Sequence, residues 1–214
     1  MFHMERTDFI QRLAVSHETV AKLDRYAELL GEWSQKFNLV APSTIPHIWS
    51  RHFLDSAQLF SSIPHYAVVA DLGSGAGFPG LVLSIMGIPN IHLIESTGKK
   101  VDFLRAVIAD LALSATVHQA RIEDIKDLKA DIVTARALAS LKELLPLATR
   151  LLKKDGVCLF LKGQNADTEL AEARKHWIFD CTKVTSLSDA SGSVLTIRNL
   201  HYNAPRKPKI PRRN

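Results

Sequence analysis

Two patterns of apolar residues divide the chain. From Thr7 to about Phe37, apolar side chains recur every three or four positions, which predicts helices with one buried face. We expect a short first helix around Phe9 and Leu13, and a second helix capped by Ser16. Further along the chain, short apolar runs of strand length alternate with helical segments. This alternation predicts a mostly parallel sheet with helices on both faces.

Seven strands are predicted in the alternating part. They span residues 66–72, 91–95, 115–119, 131–136, 157–162, 179–186 and 194–200. The helices of this part are predicted at residues 79–86, 99–111, 141–152 and 166–176. Only a turn cluster, 189–192, separates the last two strands, so we expect an antiparallel pair at one edge of the sheet.

A separate helix is expected over residues 46–60. Arg51 and Asp55 are four residues apart and His52 and Asp55 are three apart, so one face of this helix would carry all three. The pattern is as typical of a solvated ion pair beside a histidine as of a functional cluster. His47 and His52 lack further ligands at a suitable spacing, so we expect no metal site.

The composition is that of an ordinary globular protein. Hydrophobic residues make up 46% of the 214 residues and charged residues 23%. No apolar run approaches the ~18 residues that cross a membrane, and the N-terminus lacks the basic and apolar regions of a secretory signal. Cys158 and Cys181 lie within predicted strands, which is typical of buried, reduced thiols. We therefore expect a cytoplasmic protein without membrane contact.

The net charge of +5 is confined to the C-terminus. Residues 203–214 contain five of the 27 lysines and arginines and no acid, so the rest of the chain carries 22 basic and 22 acidic residues. Pro205, Pro208 and Pro211 recur every third residue, which predicts an extended polyproline II arm. This tail is either a solubilising segment or an arm that binds phosphates.

The segment 68–80, VVADLGSGAGFPG, predicts a ligand site. It has the features of a buried strand, a loop that exposes backbone N–H groups, and a helix start. Its last six residues match the pattern G-x-G-x-x-G of dinucleotide-binding folds. The motif can also be aligned so that it begins at Asp71 and continues through Gly73, Gly75 and Gly77. This alignment places Asp71 at the end of the strand. The dinucleotide alignment would place Asp71 inside the strand, where an unpaired carboxylate is costly.

Glu95 ends the second predicted strand, 22 residues after Gly73. A carboxylate at this place can accept hydrogen bonds from both ribose hydroxyls of a nucleotide cofactor, whether a dinucleotide or a methyl donor. The frame that begins at Asp71 resembles the first motif of Rossmann-like S-adenosylmethionine-dependent methyltransferases. Once the sheet is assigned, too little chain remains for the substrate domain of a dehydrogenase. We therefore favour S-adenosylmethionine over NAD.

Further segments resemble one specific family. They are 33–39 (WSQKFNL), 51–56 (RHFLDS), 71–80 (DLGSGAGFPG), 95–104 (ESTGKKVDFL), 121–124 (RIED), 135–140 (ARALAS) and 161–163 (LKG). In this order, they resemble the bacterial methyltransferases that act on guanine N7 of small-subunit ribosomal RNA, the glucose-inhibited division protein B (RsmG) family. The resemblance implies an α/β, Rossmann-like fold, S-adenosylmethionine as the cofactor, and 16S ribosomal RNA or the small ribosomal subunit as the partner.

Three parts and two sets of site residues are expected. Residues 1–62 would form an N-terminal helical extension packed on the catalytic domain, 63–202 the methyltransferase domain, and 203–214 the basic tail. The resemblance implies cofactor binding by Asp71, Gly73, Gly75, Gly77, Phe78, Glu95, Ile122, Glu123 and Arg136. It implies contact with the RNA or target base by Asn38, Arg51, His52 and Lys162. We expect Arg136 to bind the cofactor carboxylate or an RNA phosphate, and the protein to be a monomer.

Methylation of guanine N7 agrees with the absence of recognisable motifs for a general base or a nucleophile in the sequence. N7 carries an exposed lone pair, so its methylation requires positioning and no general base, and no catalytic residue is assigned. Methyltransferases of exocyclic amines resemble one another in an Asn/Asp-Pro-Pro-Tyr/Phe segment after strand four, where this chain has TARAL at 134–138. Cys158 lies in mid-strand, unlike the nucleophile of carbon methylation. The alternatives are an inactive RNA-binding or ribosome-assembly module of this fold, and an NAD-dependent oxidoreductase.

Deletion of residues 204–214 tests the role of the tail. If all five cations each neutralise a phosphate of single-stranded RNA, the log–log dependence of RNA affinity on salt should become shallower by about 3.5 after the deletion. Binding titrations over a range of salt concentrations measure this slope for the full and the shortened chain. An identical slope would show that the tail takes no part in RNA binding.

Overall fold

A seven-stranded sheet forms the centre of the computed structural model, which describes residues 2–203 and their side chains from Glu5 onward. The strands are β1 (Val69–Leu72), β2 (Ile91–Glu95), β3 (Thr116–Gln119), β4 (Ala130–Arg136), β5 (Leu152–Lys162), β6 (Trp177–Thr185) and β7 (Ser193–Tyr202). Their order is β3-β2-β1-β4-β5-β7-β6. Neighbours from β3 to β5 are parallel, whereas β7 runs antiparallel to both β5 and β6. The predicted α/β class and the antiparallel pair at one edge are confirmed.

Helices cover both faces of this sheet. They are α1 (Phe2–Leu13), α2 (His17–Ser34), α3 (Asp55–Ala57), α4 (Gly80–Ile85), α5 (Gly98–Asp110), α6 (Leu141–Leu151) and α7 (Ala166–Ala173). The predicted cap of α2 is confirmed, since Ser16 Oγ accepts a hydrogen bond from the Thr19 N–H at 3.1 Å. The first strand begins at Val69, three residues later than predicted, because the chain still turns at Pro64, whose carbonyl accepts the Ala67 N–H.

The single helix predicted over residues 46–60 is wrong. A 3-10 helix (Pro42–His47) leads into a π-helix (Trp49–Leu54), which continues into the short α3. Pro46 has no N–H for the hydrogen bonds of an α-helix. The chain instead changes from the narrow winding of a 3-10 helix to the wide winding of a π-helix. With this winding, both Trp49 and Phe53 are buried, and their rings meet edge to face at 5.1 Å.

The N-terminal helices pack on the sheet face that carries α4 and α5. Tyr26 of α2 is fully buried there, with its ring 5.5 Å from Phe53, 5.4 Å from Phe78 and 6.2 Å from Phe103. Helix α6 covers the opposite face, where a second apolar cluster includes Phe160 of β5. Apolar burial on this scale is the main favourable contribution to folding. The N-terminal helices therefore share one core with the glycine-rich segment.

Candidate functional site

The strand order reverses between β1 and β4. The chain leaves β1 toward β2 and β3 on one side, and it returns to place β4 and β5 on the other. The loops after β1 and β4 therefore diverge and leave a crevice outside the carboxyl ends of the strands, which is where open α/β sheets bind their ligands. The glycine loop follows β1, and Arg136 ends β4 on the other side of the crevice.

The glycine loop depends on backbone conformations that favour glycine. Gly73, Gly75 and Gly77 have φ angles of +61°, +58° and +98°. A Cβ on Gly73 would lie 2.4 Å from Leu138 of the loop after β4, so these two loops touch across the crevice. Among the described residues, a Cβ on Gly75 would meet only the carbonyl oxygen of Gly73, at 3.8 Å. The backbone at Gly75 is therefore open to a ligand on that side.

Asp71 is the penultimate residue of β1, at the carboxyl end of the strand as expected, but its side chain is buried. Strand β1 continues to Leu72, and the Asp71 side chain has no exposed surface. Its carboxylate accepts hydrogen bonds from Thr134 Oγ1 at 2.9 Å and from the Gly80 N–H at 3.2 Å, and burial raises its pKa to about 6. These two donors compensate the burial that made an interior position unfavourable. Asp71 thus fixes the start of α4 and has no exposed surface for direct contact with a ligand.

Glu95 connects the ends of β1 and β2. Its side chain is 7% exposed, and its two oxygens accept the N–H groups of Gly75 at 2.9 Å and Thr97 at 2.8 Å. Each carboxylate oxygen has a second lone pair, so both can accept further hydrogen bonds. Ile122 is buried and Glu123 exposed in a 3-10 helix that follows β3, the neighbour of β2. An open glycine backbone beside this carboxylate fits a nucleoside with two free hydroxyls.

Arg136 joins the catalytic sheet to the N-terminal helices. Its Nη1 donates to the Arg51 carbonyl at 2.9 Å and to Asp55 Oδ2 at 3.2 Å, and its Nη2 lies 2.6 Å from His52 Nδ1. The guanidinium also lies over the Phe78 ring, 4.9 Å from the ring centre. Arg136 is therefore not a free side chain at the surface. These contacts also commit most of the guanidinium to the protein itself, which leaves it less free for the carboxylate or phosphate that the sequence suggested.

The contacts of His52 define its protonation. Because Nδ1 faces the Arg136 donor, it must accept, and Nε2 then carries the proton and donates to Thr44 Oγ1 at 2.8 Å. The ring is 6% exposed and stacks on Phe78 with 4.7 Å between ring centres. Burial, followed by the charges of Arg136 and Arg51, lowers the pKa of His52 to about 3. His52 is therefore a neutral hydrogen-bonding residue at physiological pH.

The low pKa of His52 makes stability depend on pH. Between pH 6.5 and 3 the unfolded chain binds a proton at His52 that the folded protein does not, so this residue lowers stability as the pH falls. As the pH falls from 6.5 to 4, the free energy of unfolding of the parent protein should decrease by about 3 kcal/mol more than that of the His52→Gln variant. Urea unfolding at several pH values measures this, with the exposed His65→Gln as control. Parallel pH profiles for His52→Gln and the parent would contradict the assignment.

A cleft of about 550 Å³ lies beside the crevice, outside β4 and β5. Arg51, His52 and Lys162 line it, which brings together three of the four residues implied to contact RNA. Asn38 does not line this cleft. It is exposed after α2, next to Phe37, whose ring lies 5.0 Å from Lys99 Nζ at the start of α5. The expected RNA residues thus occupy two separate places.

The charged residues of the cleft are paired. Lys162 is 9% exposed, and its Nζ lies 2.6 Å from Glu169 Oε2 and donates to the Ala139 carbonyl at 2.7 Å. Arg51 forms an exposed ion pair of 3.0 Å with Asp189 in the connection between β6 and β7. Two expected RNA contacts therefore also hold loops around the cleft together.

Sequence reasoning missed Tyr26, Leu138 and Glu169. The Tyr26 hydroxyl donates to the Ala76 carbonyl in the glycine loop, although in the sequence it belongs only to a helical apolar pattern. Leu138 contacts the Gly73 position, and Glu169 pairs with Lys162. The sequence does not distinguish Glu169 from Glu172 one turn later, because both are acids on a polar helix.

Comparison with known proteins identifies the family. A family model described as GidB, rRNA small subunit methyltransferase G, matches residues 19–200. The chain belongs to this family. Ribosomal RNA small subunit methyltransferase G of Rhodospirillum centenum is 49% identical over 205 residues, which are 95% of this chain and 94% of the relative. The protein of that name from Paramagnetospirillum magneticum is 48% identical over 194 residues, which are 90% and 95% of the two chains.

Solved structures share the fold of this rRNA methyltransferase. TYW2 of M. jannaschii in complex with AdoMet aligns with a TM-score of 0.55 at 16% identity, over 78% of this chain and 80% of that one. Ribosomal protein L11 methylase of Lactobacillus delbrueckii subsp. bulgaricus aligns with a TM-score of 0.53 at 20% identity, over 66% and 75%. The predictions of family, methyltransferase activity and S-adenosylmethionine as cofactor are confirmed.

Neither a membrane span nor a metal cluster is found in the described part of this rRNA methyltransferase. Within residues 2–203, no helix has both the length and the apolar character to cross a membrane. The same residues contain no group of three or more His, Cys, Asp or Glu side chains that could hold a metal ion.

Proposed function

We propose that this rRNA methyltransferase acts on N7 of a guanine in 16S ribosomal RNA and does so without a general base. The observation that carries the proposal is the cleft beside the cofactor crevice, which Arg51, His52 and Lys162 line. Family membership supports the choice of small-subunit RNA, and the chemistry of N7 supports the absence of a base. S-adenosylmethionine supplies an electrophilic methyl group when it is bound.

The cofactor would bind between the glycine loop and the end of β2. Gly75 leaves its backbone open, and Glu95 holds the Gly75 N–H while retaining lone pairs for two ribose hydroxyls. Gly73 and Gly77 keep the loop in its conformation, and Asp71 anchors the start of the helix behind it. Ile122 and Glu123 follow the neighbouring strand β3, at the place we assign to the adenine.

The acceptor base would enter the cleft next to Leu138. This side chain touches the Gly73 position on one side and lines the cleft on the other, so it stands at the boundary between donor and acceptor. Since guanine N7 needs no deprotonation, the residues here only have to orient the lone pair and exclude water. A neutral His52 agrees with this, because an imidazole with a pKa of about 3 does not take up a proton at neutral pH.

Carbon methylation would need a nucleophilic cysteine, and neither cysteine is among the described residues that line this cleft. Cys158 is completely buried in β5, and burial raises the pKa of its thiol to about 12. The thiolate that would attack is therefore absent at neutral pH, and the side chain has no access to a substrate. Cys181, the other cysteine, also has a raised pKa because of burial.

Arg136 would hold the parts of the site in place and would not contact the reacting atoms. Its guanidinium is held by the Arg51 carbonyl, His52 and Asp55, so it ties the cleft wall formed by the N-terminal helices to the end of β4. Asp55 carries a compensating negative charge 3.2 Å away, which reduces the repulsion between this arginine and a guanine that becomes cationic.

Methyl transfer to ribosomal subunits tests the proposed function. The substrate is the small subunit from a strain that lacks the modification, and the product nucleoside is identified after digestion. We expect 7-methylguanosine at one position. A different methylated nucleoside would refute the N7 assignment, and binding of subunits without any transfer would favour an RNA-binding module.

A further inference from the structure

Glu169, which lines the cleft, carries a further inference about the acceptor. We propose that its carboxylate recognises the Watson–Crick edge of the target guanine and so selects guanine over adenine. The inference rests on the proposed function, because it assumes that a purine is methylated in this cleft. It concerns how that purine is chosen, which N7 chemistry alone leaves open because guanine and adenine both carry an exposed N7.

Three carboxylates line the cleft, and their hydrogen bonds distinguish them. Each oxygen of Asp55 already accepts a hydrogen bond, Oδ1 from Ser188 and Oδ2 from Arg136. Each oxygen of Asp189 also already accepts a hydrogen bond, Oδ1 from the hydroxyl and N–H of Ser191 and Oδ2 from Arg51. The side chains of Asp55 and Asp189 therefore stabilise the cleft wall through these hydrogen bonds.

Glu169 differs from these two acids because both of its contacts with the protein are made by the same carboxylate oxygen, Oε2. Its Oε2 accepts the Leu141 N–H at 2.8 Å and lies 2.6 Å from Lys162 Nζ. Across the described residues, no donor reaches Oε1, and the side chain is 22% exposed. The carboxylate is thus held in place from one side while its second oxygen retains its capacity to accept hydrogen bonds. It is pre-organised for a ligand with N–H donors.

The position of Glu169 across the sheet fits a purine. Strand β4 lies between β1, which precedes the glycine loop, and β5, which ends at Lys162. Neighbouring strands are about 4.8 Å apart, so the glycine loop and Lys162 are separated by roughly 10 Å at the carboxyl edge. A guanine above β4 with N7 toward the glycine loop turns its opposite edge toward β5 and Glu169.

The hydrogen-bonding groups of the two purines provide the selection. The Watson–Crick edge of guanine presents donors at N1 and at the N2 amino group, whereas adenine presents an acceptor at N1. An ionised carboxylate accepts from guanine and repels the lone pair of adenine. A site built to pair with a donor rejects the analogue that lacks it, because the buried acceptor is then left without a partner.

The decisive variant is Glu169→Gln, compared with Glu172→Gln one turn later on the same helix. Glu172 is exposed and, among the described residues, pairs only with Lys175, so its substitution removes the same charge away from the cleft. In Glu169→Gln, the new amide oxygen can still accept the Leu141 N–H, while the new amino group faces the donors of guanine. We expect single-turnover methyl transfer to small subunits to fall about tenfold to a hundredfold for Glu169→Gln alone. Affinity for S-adenosylhomocysteine should remain unchanged in both variants.

A second measurement separates recognition from support of the fold. After the wild-type product has identified the modified guanine, RNA with adenine at that position is compared with the natural RNA. The ratio of adenine to guanine methylation should rise by about tenfold or more in Glu169→Gln. This ratio is taken within one preparation, so it does not depend on the fraction of folded protein.

The outcomes for the two proposals differ. An active wild type with an unchanged rate and an unchanged purine ratio in Glu169→Gln would overturn the role of Glu169 and leave the proposed function intact. A wild type that methylates no guanine would overturn both.

Discussion

Glu95→Gln should lower the affinity for S-adenosylmethionine and S-adenosylhomocysteine by about 100-fold or more. The Glu95 carboxylate accepts the Gly75 and Thr97 N–H groups with its two oxygens, so it forms the connection between β2 and the glycine loop. An amide has one accepting oxygen, and its amino group would oppose one of these N–H donors. The substitution should therefore disturb the loop and also weaken the charge-assisted hydrogen bonds that we propose between Glu95 and the ribose hydroxyls.

Calorimetry with S-adenosylhomocysteine measures this effect. The control is Asp102→Asn, which removes one negative charge from an exposed position on α5, the helix that follows β2. The control should bind the ligand like the parent. If Glu95→Gln bound with unchanged affinity, Glu95 would serve only as an acid that caps the next helix, and the ribose contact would have to be assigned elsewhere.

Gly77→Ala should lower the free energy of unfolding by about 3 kcal/mol or more. The backbone at Gly77 has a φ of +98°, which is unfavourable for alanine. Its Cβ would lie 2.3 Å from Leu81 Cδ1 and 2.8 Å from the Tyr26 hydroxyl, both of them buried. Since the Tyr26 hydroxyl also holds the Ala76 carbonyl, relief of the clash would displace the glycine loop. Cofactor affinity should fall together with stability.

Gly31→Ala is the matched control for this variant. Gly31 lies within α2, and beyond the backbone of that helix a Cβ there would meet no atom of residues 2–203 within 4 Å. Because alanine restricts the unfolded chain and favours a helix, the control should gain roughly 0.5–1 kcal/mol. Urea unfolding of both variants provides the comparison. A Gly77→Ala protein as stable as the parent would mean that the loop tolerates a different path around Tyr26.

The N-terminal helices contribute directly to both halves of the site. Tyr26 reaches the glycine loop, while His52 and Asp55 hold Arg136 on the acceptor side. A truncation that removes these helices would therefore expose apolar core and release both loops. We infer that the extension is a structural part of the methyltransferase and not an independent binding module.

Much of the fold followed from local patterns. Alternating apolar runs predicted seven strands, because a buried parallel strand must be continuously apolar, and the short turn before the last strand required an antiparallel pair. The segment around Pro46 was predicted less well. Whether a helix winds as 3-10, α or π depends on which side chains the core accepts, and the burial of Trp49 and Phe53 is decided by contacts with other helices.

The sequence by itself determined the family, the cofactor and the position of the glycine loop. Each of these depends on residues close together in the chain, such as glycines at backbone angles that other residues avoid. The tertiary structure alone decided the partners of the charged residues. It paired Asp71 with Thr134, directed Arg136 to His52, and paired Lys162 with Glu169. Side-chain hydrogen bonds between distant segments follow from how the strands are ordered, so no local pattern could have revealed that Glu169 lines the cleft.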